Sequence, residues 1–382
     1  MAEGATMANP NRKMATVRRI DAILPIPDAD RIEVAKVGGW QVVVGKSEFS
    51  AGEPVVFYEI DTFMPTDNQN YAFLAERGTK DMVVDGRPTV GHVLKTARLR
   101  GVYSQGLVLK PSAVLPSSIP EYAYEKMANR MACVDSLVGV CEYVRPQADT
   151  SAGFVGKYDQ FIAPRTDAER IQNVDQHTFD LIKRTDYEVS VKVDGTSVSM
   201  VFDDRTNSFR LFSHNNEFDV SEGMGKIAYD CATGQGLRAF CEANHMTTLQ
   251  AELCGPKIQS DRLGLGKHRL FVFSIWDMAE CKYVSCKELD GRIGCQDVLD
   301  SHVPIVSTGT LLDKFDTPDG FLSYVDGIKG NVTKGRLDEG LVTHIYDKGA
   351  LTDEQWMELR RTLSATMQVK ADNNVYLLKG KE

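Results

Sequence analysis

The sequence predicts an α+β protein in two parts, a small N-terminal β-barrel followed by a larger mixed domain. Three observations support this division. The 382 residues are enough for two domains. Residues 15–110 contain short alternating segments separated by glycine turns, whereas strand and helix patterns mix from residue 151 to residue 382. Between these parts, residues 111–150 are rich in proline and predict a connector.

The N-terminal part consists of short strand-like segments. The alternating or strand-like stretches are Thr16–Ile23, Glu33–Val37, Gln41–Lys46 and Pro54–Glu59. Many short strands with glycine turns in about a hundred residues are typical of a small barrel, and the OB-fold is one such barrel. Another small all-β domain is the alternative that the pattern leaves open. Residues 1–14 are small and polar, and we expect them to form a disordered lead.

The second part combines helices and strands. Helical patterns lie near residues 122–131 in the connector and then at 220–229, 235–244 and 353–363. Strand patterns lie at 248–254, 271–276 and 375–378. The order of these elements predicts a mixed domain rather than a second barrel.

The bulk composition limits the kinds of function. A net charge of −9 argues against a surface coated with basic residues, although a local basic groove remains compatible with it. No stretch approaches the ~20 apolar residues of a membrane span, and the start lacks the apolar segment of a secretory signal. The cysteines form no Cys-x2-Cys pair, so we expect free thiols in a reducing compartment rather than a zinc site.

The segment from Tyr187 to Ser197 carries the clearest chemical signal. Period-two alternation directs Val189, Val191 and Val193 to one face and Ser190, Lys192 and Asp194 to the other. A lysine that points into a cleft, followed by a carboxylate and a turn, is a candidate covalent nucleophile. The Lys-x-Asp-Gly pattern is typical of ligases and capping enzymes that attach a nucleotide to lysine. Taken alone, the pattern also fits a surface hairpin with a solvated lysine.

Four further segments follow in the order that this chemistry requires, and they contain Glu252, Phe273, Glu339 and Lys370. A lysine that attacks the α-phosphorus of ATP must be deprotonated, although its ordinary pKa is ~10.4, and a nearby cation can lower that pKa. Carboxylates such as Asp194, Glu252 and Glu339 can bind ribose hydroxyls or hold hydrated metal ions. Phe273 can stack on adenine, and Lys370 can neutralise the α-phosphate in the transition state. The combination favours nucleotidyl transfer over unrelated structural roles.

On these motifs the chain resembles the ATP-dependent RNA ligases, most closely the Deinococcus-type (fifth) RNA ligase family, over about residues 15–382. The matching segments are Lys192–Ser197 for motif I, Gln250–Pro256 for motif III, Phe271–Phe273 for motif IIIa, Glu339–Val342 for motif IV and Val369–Lys370 for motif V. The resemblance implies that Lys192 is the adenylated nucleophile and that Lys370 is a second catalytic lysine. It also implies that Asp194, Glu252, Phe273 and Glu339 bind the nucleotide, with Glu252 and Glu339 serving the metal.

The resemblance extends to the N-terminal part. Residues 26–32, 39–40 and 99–107 resemble the family's OB module. The implied fold is an N-terminal OB-fold β-barrel followed by a nucleotidyltransferase domain, ATP-grasp-like, of antiparallel sheets and helices. The basic residues Lys95, Arg98 and Arg100 are candidates for nucleic-acid contact. Arg170, in a segment that resembles the one preceding the nucleotide pocket, is expected near the nucleotide or the nick phosphates.

Two positions depart from the family pattern. His214 stands in Ser213-His-Asn215 where the family usually has arginine, and Gln368 stands where motif V usually has its first lysine. Both departures remove positive charge near phosphates, because histidine lacks a permanent charge. Lys257 and Lys267 are candidates to compensate. The departures bear on efficiency more than on the class of reaction.

The resemblance implies an enzyme that seals 3′-OH/5′-phosphate breaks, with ATP and Mg²⁺ or Mn²⁺ as cofactors and a lysyl-AMP intermediate. The expected substrate is nicked RNA or RNA–DNA duplex with an RNA 3′-OH strand. We expect a monomer without a membrane anchor, in the cytoplasm or wherever host or viral RNA is accessible. Two alternatives remain open, a GTP-dependent RNA capping guanylyltransferase and a catalytically weak ligase homologue that only binds nucleic acid.

Overall fold

The computed structural model describes residues 12–144, 153–165, 167–363 and 366–379. These residues divide into two compact units, one N-terminal to residue 145 and the other C-terminal to residue 152. Most of the expected lead, residues 1–11, lies outside the described residues, as does part of the connector. All eight cysteines are free thiols. Within the described part of the chain, no helix has the length and apolar character needed to cross a bilayer.

The first unit is built mainly from short strands. Its strands are β1 (Ala15–Arg19), β2 (Ala22–Pro25), β3 (Ile32–Val37), β4 (Trp40–Gly45), β5 (Pro54–Tyr58), β6 (Thr62–Pro65), β7 (Thr79–Val84), β8 (Arg87–Val93), β9 (Ala97–Leu99), β10 (Val102–Ser104), β11 (Leu107–Leu109) and β12 (Cys141–Glu142). Its helices are α1 (Pro111–Val114), α2 (Tyr122–Ala128) and α3 (Asp135–Val138), and a 3₁₀ helix spans Gln69–Leu74. The structure therefore confirms the short strands of the N-terminal part and has a short helix, α2, where the sequence predicted one near residues 122–131.

Strand β5 organises the core of this unit. It lies between β1 and β11 in an antiparallel sheet. Val56 and Tyr58 contribute to one apolar cluster and Val55 and Phe57 to another, because alternate side chains leave opposite faces of a strand. A central strand that is buried on both faces needs a continuous apolar run, and residues 55–58 supply it.

The second unit combines strands with several α-helices. Its strands are β13 (Phe154–Lys157), β14 (Glu169–Arg170), β15 (Asp186–Lys192), β16 (Thr196–Asp203), β17 (Ser208–Phe212), β18 (Asn216–Phe218), β19 (Thr247–Cys254), β20 (Arg269–Asp277), β21 (Lys282–Val284), β22 (Ile305–Thr308), β23 (Gly340–Asp347) and β24 (Gln368–Asp372). Its α-helices are α4 (Gln176–Ile182), α5 (Gly223–Gly234), α6 (Leu237–Ala243), α7 (Cys295–Ser301), α8 (Pro318–Val325), α9 (Asp353–Thr362) and α10 (Asn374–Lys379). Short 3₁₀ helices span Ile171–Asn173, Gln259–Asp261, Cys286–Leu289 and Leu312–Lys314.

Two sheets form the frame of this unit. The larger has the order β13-β18-β17-β16-β19-β20-β21, and the smaller has the order β14-β24-β23-β15-β22. All pairings are antiparallel except that of β14 with β24. Each sheet packs an apolar face on its own core cluster, and helices α4, α8 and α9 cover the cluster of the smaller sheet. Strand β15 connects directly to β16, so the chain crosses from one sheet to the other just after Lys192.

The prediction of a final strand at residues 375–378 is wrong, because this segment belongs to helix α10. The buried Asn373 side chain decides the outcome, since its Oδ1 accepts hydrogen bonds from the backbone N–H groups of Val375 (3.0 Å) and Tyr376 (3.3 Å). An asparagine in this position satisfies donors that a first helical turn leaves unpaired. Apolar alternation over four residues cannot reveal such a cap.

Candidate active site

A pocket in the second unit is lined by residues of both sheets. Its lining includes Lys192, Asp194, Glu252, Phe273, Glu339 and Lys370, six of the residues that the sequence singled out. The lining also includes smaller polar side chains and two histidines, namely Ser190, Ser197, His214, His344 and Gln368. A cleft with converging polar groups of this kind is the usual form of a small-molecule site.

Lys192 is held at the centre of the charged cluster. It is the last residue of β15, where its Cα pairs with that of Gly340 on β23. Val189 and Val191 on the same strand are buried in the core, so the alternation turns Lys192 toward the pocket. Its Nζ donates a hydrogen bond to Glu339 Oε1. The sequence prediction for the two faces of this strand is confirmed.

Asp372 is a second acidic neighbour of this lysine, and the sequence analysis did not single it out. Its Oδ1 lies 3.8 Å from Lys192 Nζ. Its Oδ2 accepts a hydrogen bond of 2.6 Å from Nη1 of Arg170, in an ion pair whose side chains are both less than 10% exposed. Arg170 does not line the pocket. It acts on the site through Asp372 in this structure.

The cluster carries more negative than positive charge. Burial by itself lowers the pKa of Lys192, but the negative charges of Glu339 and Asp372 outweigh burial and raise that pKa. The lysine is therefore protonated at neutral pH in this structure. Burial also raises the pKa of Glu339, and burial together with the Glu339 charge raises the pKa of Glu252 to about 8. Such displaced pKa values are common where groups are arranged for proton or charge chemistry.

Gly195 allows the turn after Lys192 to lie against β19. Its backbone N–H donates to Glu252 Oε1 at 3.0 Å. A Cβ atom at this position would lie 2.4 Å from the carbonyl oxygen of Leu253 and 2.9 Å from Glu252 Cγ, distances that real side chains do not show. The glycine of the Lys-x-Asp-Gly pattern thus has a steric reason in this fold, since only a residue without Cβ brings Glu252 and Lys192 into one pocket.

Asp194 is fixed by a residue from the C-terminal helix. Its Oδ2 accepts a hydrogen bond of 2.7 Å from the hydroxyl group of Tyr376. The Tyr376 ring is buried and packs against the guanidinium group of Arg262, 4.2 Å from the ring centroid. The helix that replaces the predicted final strand therefore contributes directly to the site.

Phe273 reaches the pocket through an irregularity of β20. The pairing of β19 with β20 changes register, because Gln250 pairs with Ser274 and Ala251 pairs with Val272. Phe273 is thus the extra residue of a β-bulge, and bulges near sites commonly redirect a side chain. It is half-buried, packs beside the core of the smaller sheet and lines the pocket. This position suits the predicted stacking on a flat base.

The two departures from the family pattern occupy different environments. His214 is half-buried in the turn between β17 and β18 and lines the pocket. Gln368 is almost fully buried, and its Nε2 donates to Ser274 Oγ at 2.9 Å. Beside it lies His344, whose pKa burial lowers to about 3 and whose Nε2 is 2.9 Å from Ser190 Oγ. Gln368 therefore belongs to a buried, uncharged polar group in the wall.

The remaining nucleic-acid candidates lie in the first unit. Lys95 precedes β9, Arg98 lies on β9 and Arg100 lies in the turn to β10. The guanidinium group of Arg98 packs over the Tyr103 ring at 5.7 Å from its centroid. The site residues that sequence reasoning missed include His344, Asp372 and Tyr376. Asp372 could have been found, because it lies two residues after Lys370 on the same face of a strand.

The acidic residues fit a hydrated cation better than a bare one. Over residues 12–144, 153–165, 167–363 and 366–379, no group of three His, Cys, Asp or Glu side chains is arranged to hold a metal ion directly. Glu339 Oε2 is nonetheless buried without a hydrogen-bond partner among these residues, and it faces Lys192 and Asp194 as charged neighbours. Mg²⁺ usually keeps several waters and takes only one or two carboxylates, so the donor set fits such an ion.

Two family models match separate parts of the chain. An OB-fold domain model matches residues 14–111, and an RNA ligase model matches residues 185–349. The second match contains Lys192, Glu252 and Glu339, and ends before Lys370. No curated protein sequence matches the chain.

Solved structures of a Naegleria gruberi RNA ligase match the chain over almost its whole length. A variant with AMP and Mn has 28% identity and a TM-score of 0.76, and covers 97% of this chain and 99% of its own. A variant with ATP and Mn has 28% identity and a TM-score of 0.75 with the same coverage. The ligase with PPi has 29% identity and a TM-score of 0.73, again with the same coverage. The predicted fold class is confirmed, and the chain is an RNA ligase with an N-terminal OB-fold domain and a ligase nucleotidyltransferase domain.

Proposed function

We propose that this RNA ligase uses ATP and works through a lysyl-AMP intermediate on Lys192. The observation that carries the proposal is the environment of this lysine, which lies in a pocket with Asp194, Glu252, Glu339 and Asp372 around it. Similar RNA ligase structures contain ATP, AMP and Mn, or PPi, which are the reactant, the transferred group and the leaving group of adenylation.

In the first step, Lys192 Nζ attacks the α-phosphorus of ATP. An N–P bond forms, the bond between the α-phosphorus and the bridging oxygen breaks, and pyrophosphate leaves with that oxygen. Nζ must first lose a proton, and Glu339 Oε1 already accepts its hydrogen bond. Because burial raises the pKa of Glu339, this carboxylate is a suitable proton acceptor. Lys370 lines the same pocket and can neutralise charge on the α-phosphate.

Divalent ions complete this chemistry. A bound Mg²⁺ or Mn²⁺ would stabilise charge on the phosphates and favour the unprotonated lysine. Glu252 and Glu339 are the residues that would hold the hydrated ion, since both carboxylates line the pocket. Asp194 and Glu252 would also bind the ribose hydroxyls, and Phe273 would stack on adenine.

In the two later steps, AMP passes to a 5′-phosphate end, and a 3′-hydroxyl attacks the activated phosphorus and releases AMP. We propose a nick in duplex as the substrate, with RNA on the 3′-OH side, as in the Deinococcus-type family that the motifs resemble. Lys95, Arg98 and Arg100 of the OB-fold domain are proposed to contact nucleic-acid phosphates, and Arg170 is proposed to support the nucleotide site.

We propose three segments with different roles. Residues 15–110 form the OB-fold domain, residues 111–150 the connector and residues 151–382 the adenylation domain. We propose that the enzyme acts as a monomer, because every proposed site residue of the first step comes from one chain.

The direct test is transfer of label from α-labelled ATP to the protein with Mg²⁺ or Mn²⁺. Label that survives denaturation is expected on the wild type and absent from Lys192→Ala. Lys226→Ala is the matched control, since this exposed lysine pairs with Asp230 on α5 and should label like the wild type. If none of the four nucleoside triphosphates labels the wild type, the proposal is contradicted.

Two further assays separate the alternatives. Label from GTP in place of ATP would identify a capping guanylyltransferase, and binding of nicked duplex without labelling would identify a catalytically weak homologue. Sealing assays on nicked duplexes that differ only in the sugars of the 3′-OH strand test the substrate. Sealing that requires ribose at the 3′-OH end supports the proposal, and equal sealing of all-DNA nicks contradicts the preference.

A further inference from the structure

A second, more open cavity lies beside the nucleotide pocket in the same unit. Two segments line it, residues 260–262 and residues 335–337, together with Tyr376. Tyr376 separates this cavity from the first pocket, because its hydroxyl group binds Asp194 while Arg262 packs on its ring. The Tyr376 side chain therefore contacts Asp194 of the first pocket and also lines the second cavity.

Two arginines, Arg262 and Arg336, line this cavity. Arg336 Nη1 lies 3.5 Å from the carbonyl oxygen of Arg262, and Arg262 Nη1 donates to the carbonyl oxygen of Tyr376 at 3.0 Å. Among the residues that the structure describes, neither arginine forms an ion pair with a carboxylate, whereas five other arginines of this unit do. Asp261 also lines the cavity, but its Oδ1 accepts from the backbone N–H of Leu265.

The backbone around Arg262 adopts a costly shape. Lys257, Gln259, Ser260 and Asp261 all have positive φ angles, between 42° and 68°, which side chains other than glycine rarely adopt. Turn hydrogen bonds support the loop, including Asp261 N–H to the Ile258 carbonyl at 2.7 Å. Strain of this kind persists where the surrounding structure enforces it, and it is enriched at ligand sites.

Gly264 lets the second arginine approach this loop. A Cβ atom at Gly264 would lie 2.6 Å from Arg336 Nη2, and its φ of +64° is in the region that favours glycine. The loop and the glycine place two guanidinium groups in the lining of one cavity, where neither forms an ion pair with Asp261, the carboxylate that also lines it, so an anion would find two donors without a carboxylate partner. Planar guanidinium groups match phosphate oxygens in particular.

We propose that the cavity of Arg262 and Arg336 binds a backbone phosphate of the RNA substrate next to the adenylation pocket. The proposal rests on the proposed ligase function. Position is the reason to favour an RNA phosphate over the β- and γ-phosphates of ATP, because Tyr376 stands between the cavity and the nucleotide pocket. An RNA end that must reach AMP on Lys192 would pass this face of Tyr376.

Arg336→Gln is the variant that tests the site. Arg336 is exposed and makes one long hydrogen bond, so its loss should leave the fold intact, whereas Arg262 also supports Tyr376. The probe is a 5′-phosphorylated nicked RNA duplex, with binding measured at several salt concentrations. We expect binding about 10-fold weaker and a salt slope smaller in magnitude by roughly 0.7–0.9, the value for one lost phosphate contact. Arg336→Lys should restore part of the affinity and most of the slope.

Arg184→Gln is the matched control, because Arg184 is also exposed and donates to one backbone carbonyl, that of Ala350. Adenylation of Lys192 by labelled ATP should stay within twofold of wild type in both variants. Slower adenylation with unchanged RNA binding would assign the cavity to ATP and overturn the proposal. An unchanged salt slope would also overturn it. If the wild type itself accepts no label, the proposed function fails instead, so the two failures are distinguishable.

Discussion

Lys192 and Glu339 form an ion pair between the end of β15 and the residue that precedes β23. The nucleophile of the proposed reaction is therefore held in its protonated, unreactive form by the carboxylate that could accept its proton. Asp372 adds a second negative charge 3.8 Å from Nζ. Substrate binding must change this balance before the lysine can attack.

The pH dependence of adenylation should report this ion pair. In Glu339→Gln, loss of one negative charge should lower the pKa of Lys192, because that charge opposes the effect of burial. We expect the alkaline rise of the single-turnover adenylation rate to shift to lower pH by about one unit, while the maximum rate falls for lack of the proton acceptor. Glu358→Gln, an exposed carboxylate on α9, should leave the profile unchanged. A midpoint that stays in place or moves to higher pH would contradict the assignment.

Gly195→Ala should uncouple the turn from β19. The added Cβ would meet the Leu253 carbonyl oxygen at 2.4 Å, so the turn must move and the hydrogen bond to Glu252 must lengthen or break. We expect adenylation to fall by about 100-fold, since displacements near 1 Å have costs of this order. Gly234→Ala is the control, because a Cβ there meets no atom within 4 Å. Near-normal labelling of Gly195→Ala would show that the close approach is dispensable.

Arg170 and Asp372 should be coupled in stability. Removing the guanidinium group in Arg170→Gln leaves a buried carboxylate close to Lys192 and Glu339, and breaking such a pair costs about 3–5 kcal/mol. Urea unfolding of this variant, of Asp372→Asn and of the double variant forms a thermodynamic cycle. The loss of unfolding free energy in the double variant should be smaller than the sum of the two single losses by about 1–3 kcal/mol. In a matching cycle, the coupling free energy of the exposed pair Lys226 and Asp230 should be less than about 1 kcal/mol. Strict additivity at Arg170 and Asp372 would rule out the coupling.

The two departures from the family pattern should respond differently to added charge. His214→Arg places a permanent positive charge in a half-buried, polar part of the pocket wall. We expect the KM for ATP to fall about 5-fold, equivalent to roughly 1 kcal/mol. Gln368→Lys should instead lower the melting temperature and fail to raise activity, because it removes the hydrogen bond to Ser274 Oγ and buries a charge. A higher rate in Gln368→Lys would show that this position still serves the phosphates.

The sequence by itself determined the features that depend on local order. The alternation around Lys192 predicted which side chains leave the core, and the strand pattern around Glu252 predicted β19, because both follow from the period of a strand. The short strands of residues 15–110 and the mixed patterns of residues 151–382 predicted the fold class. The resemblance carried by the motifs from Lys192 to Lys370 implied an RNA ligase, and the comparisons bear out both.

Only the tertiary structure decided the features that depend on pairings distant in the chain. Asp372 meets Lys192 through the register of β15, β23 and β24, and Arg170 meets Asp372 across 202 positions. Tyr376 reaches Asp194 because the Asn373 side chain caps a helix where apolar alternation predicted a strand. The charge state of Lys192 follows from these contacts. Electrostatic interactions depend on distance and burial in space, and a sequence specifies neither until the chain has folded.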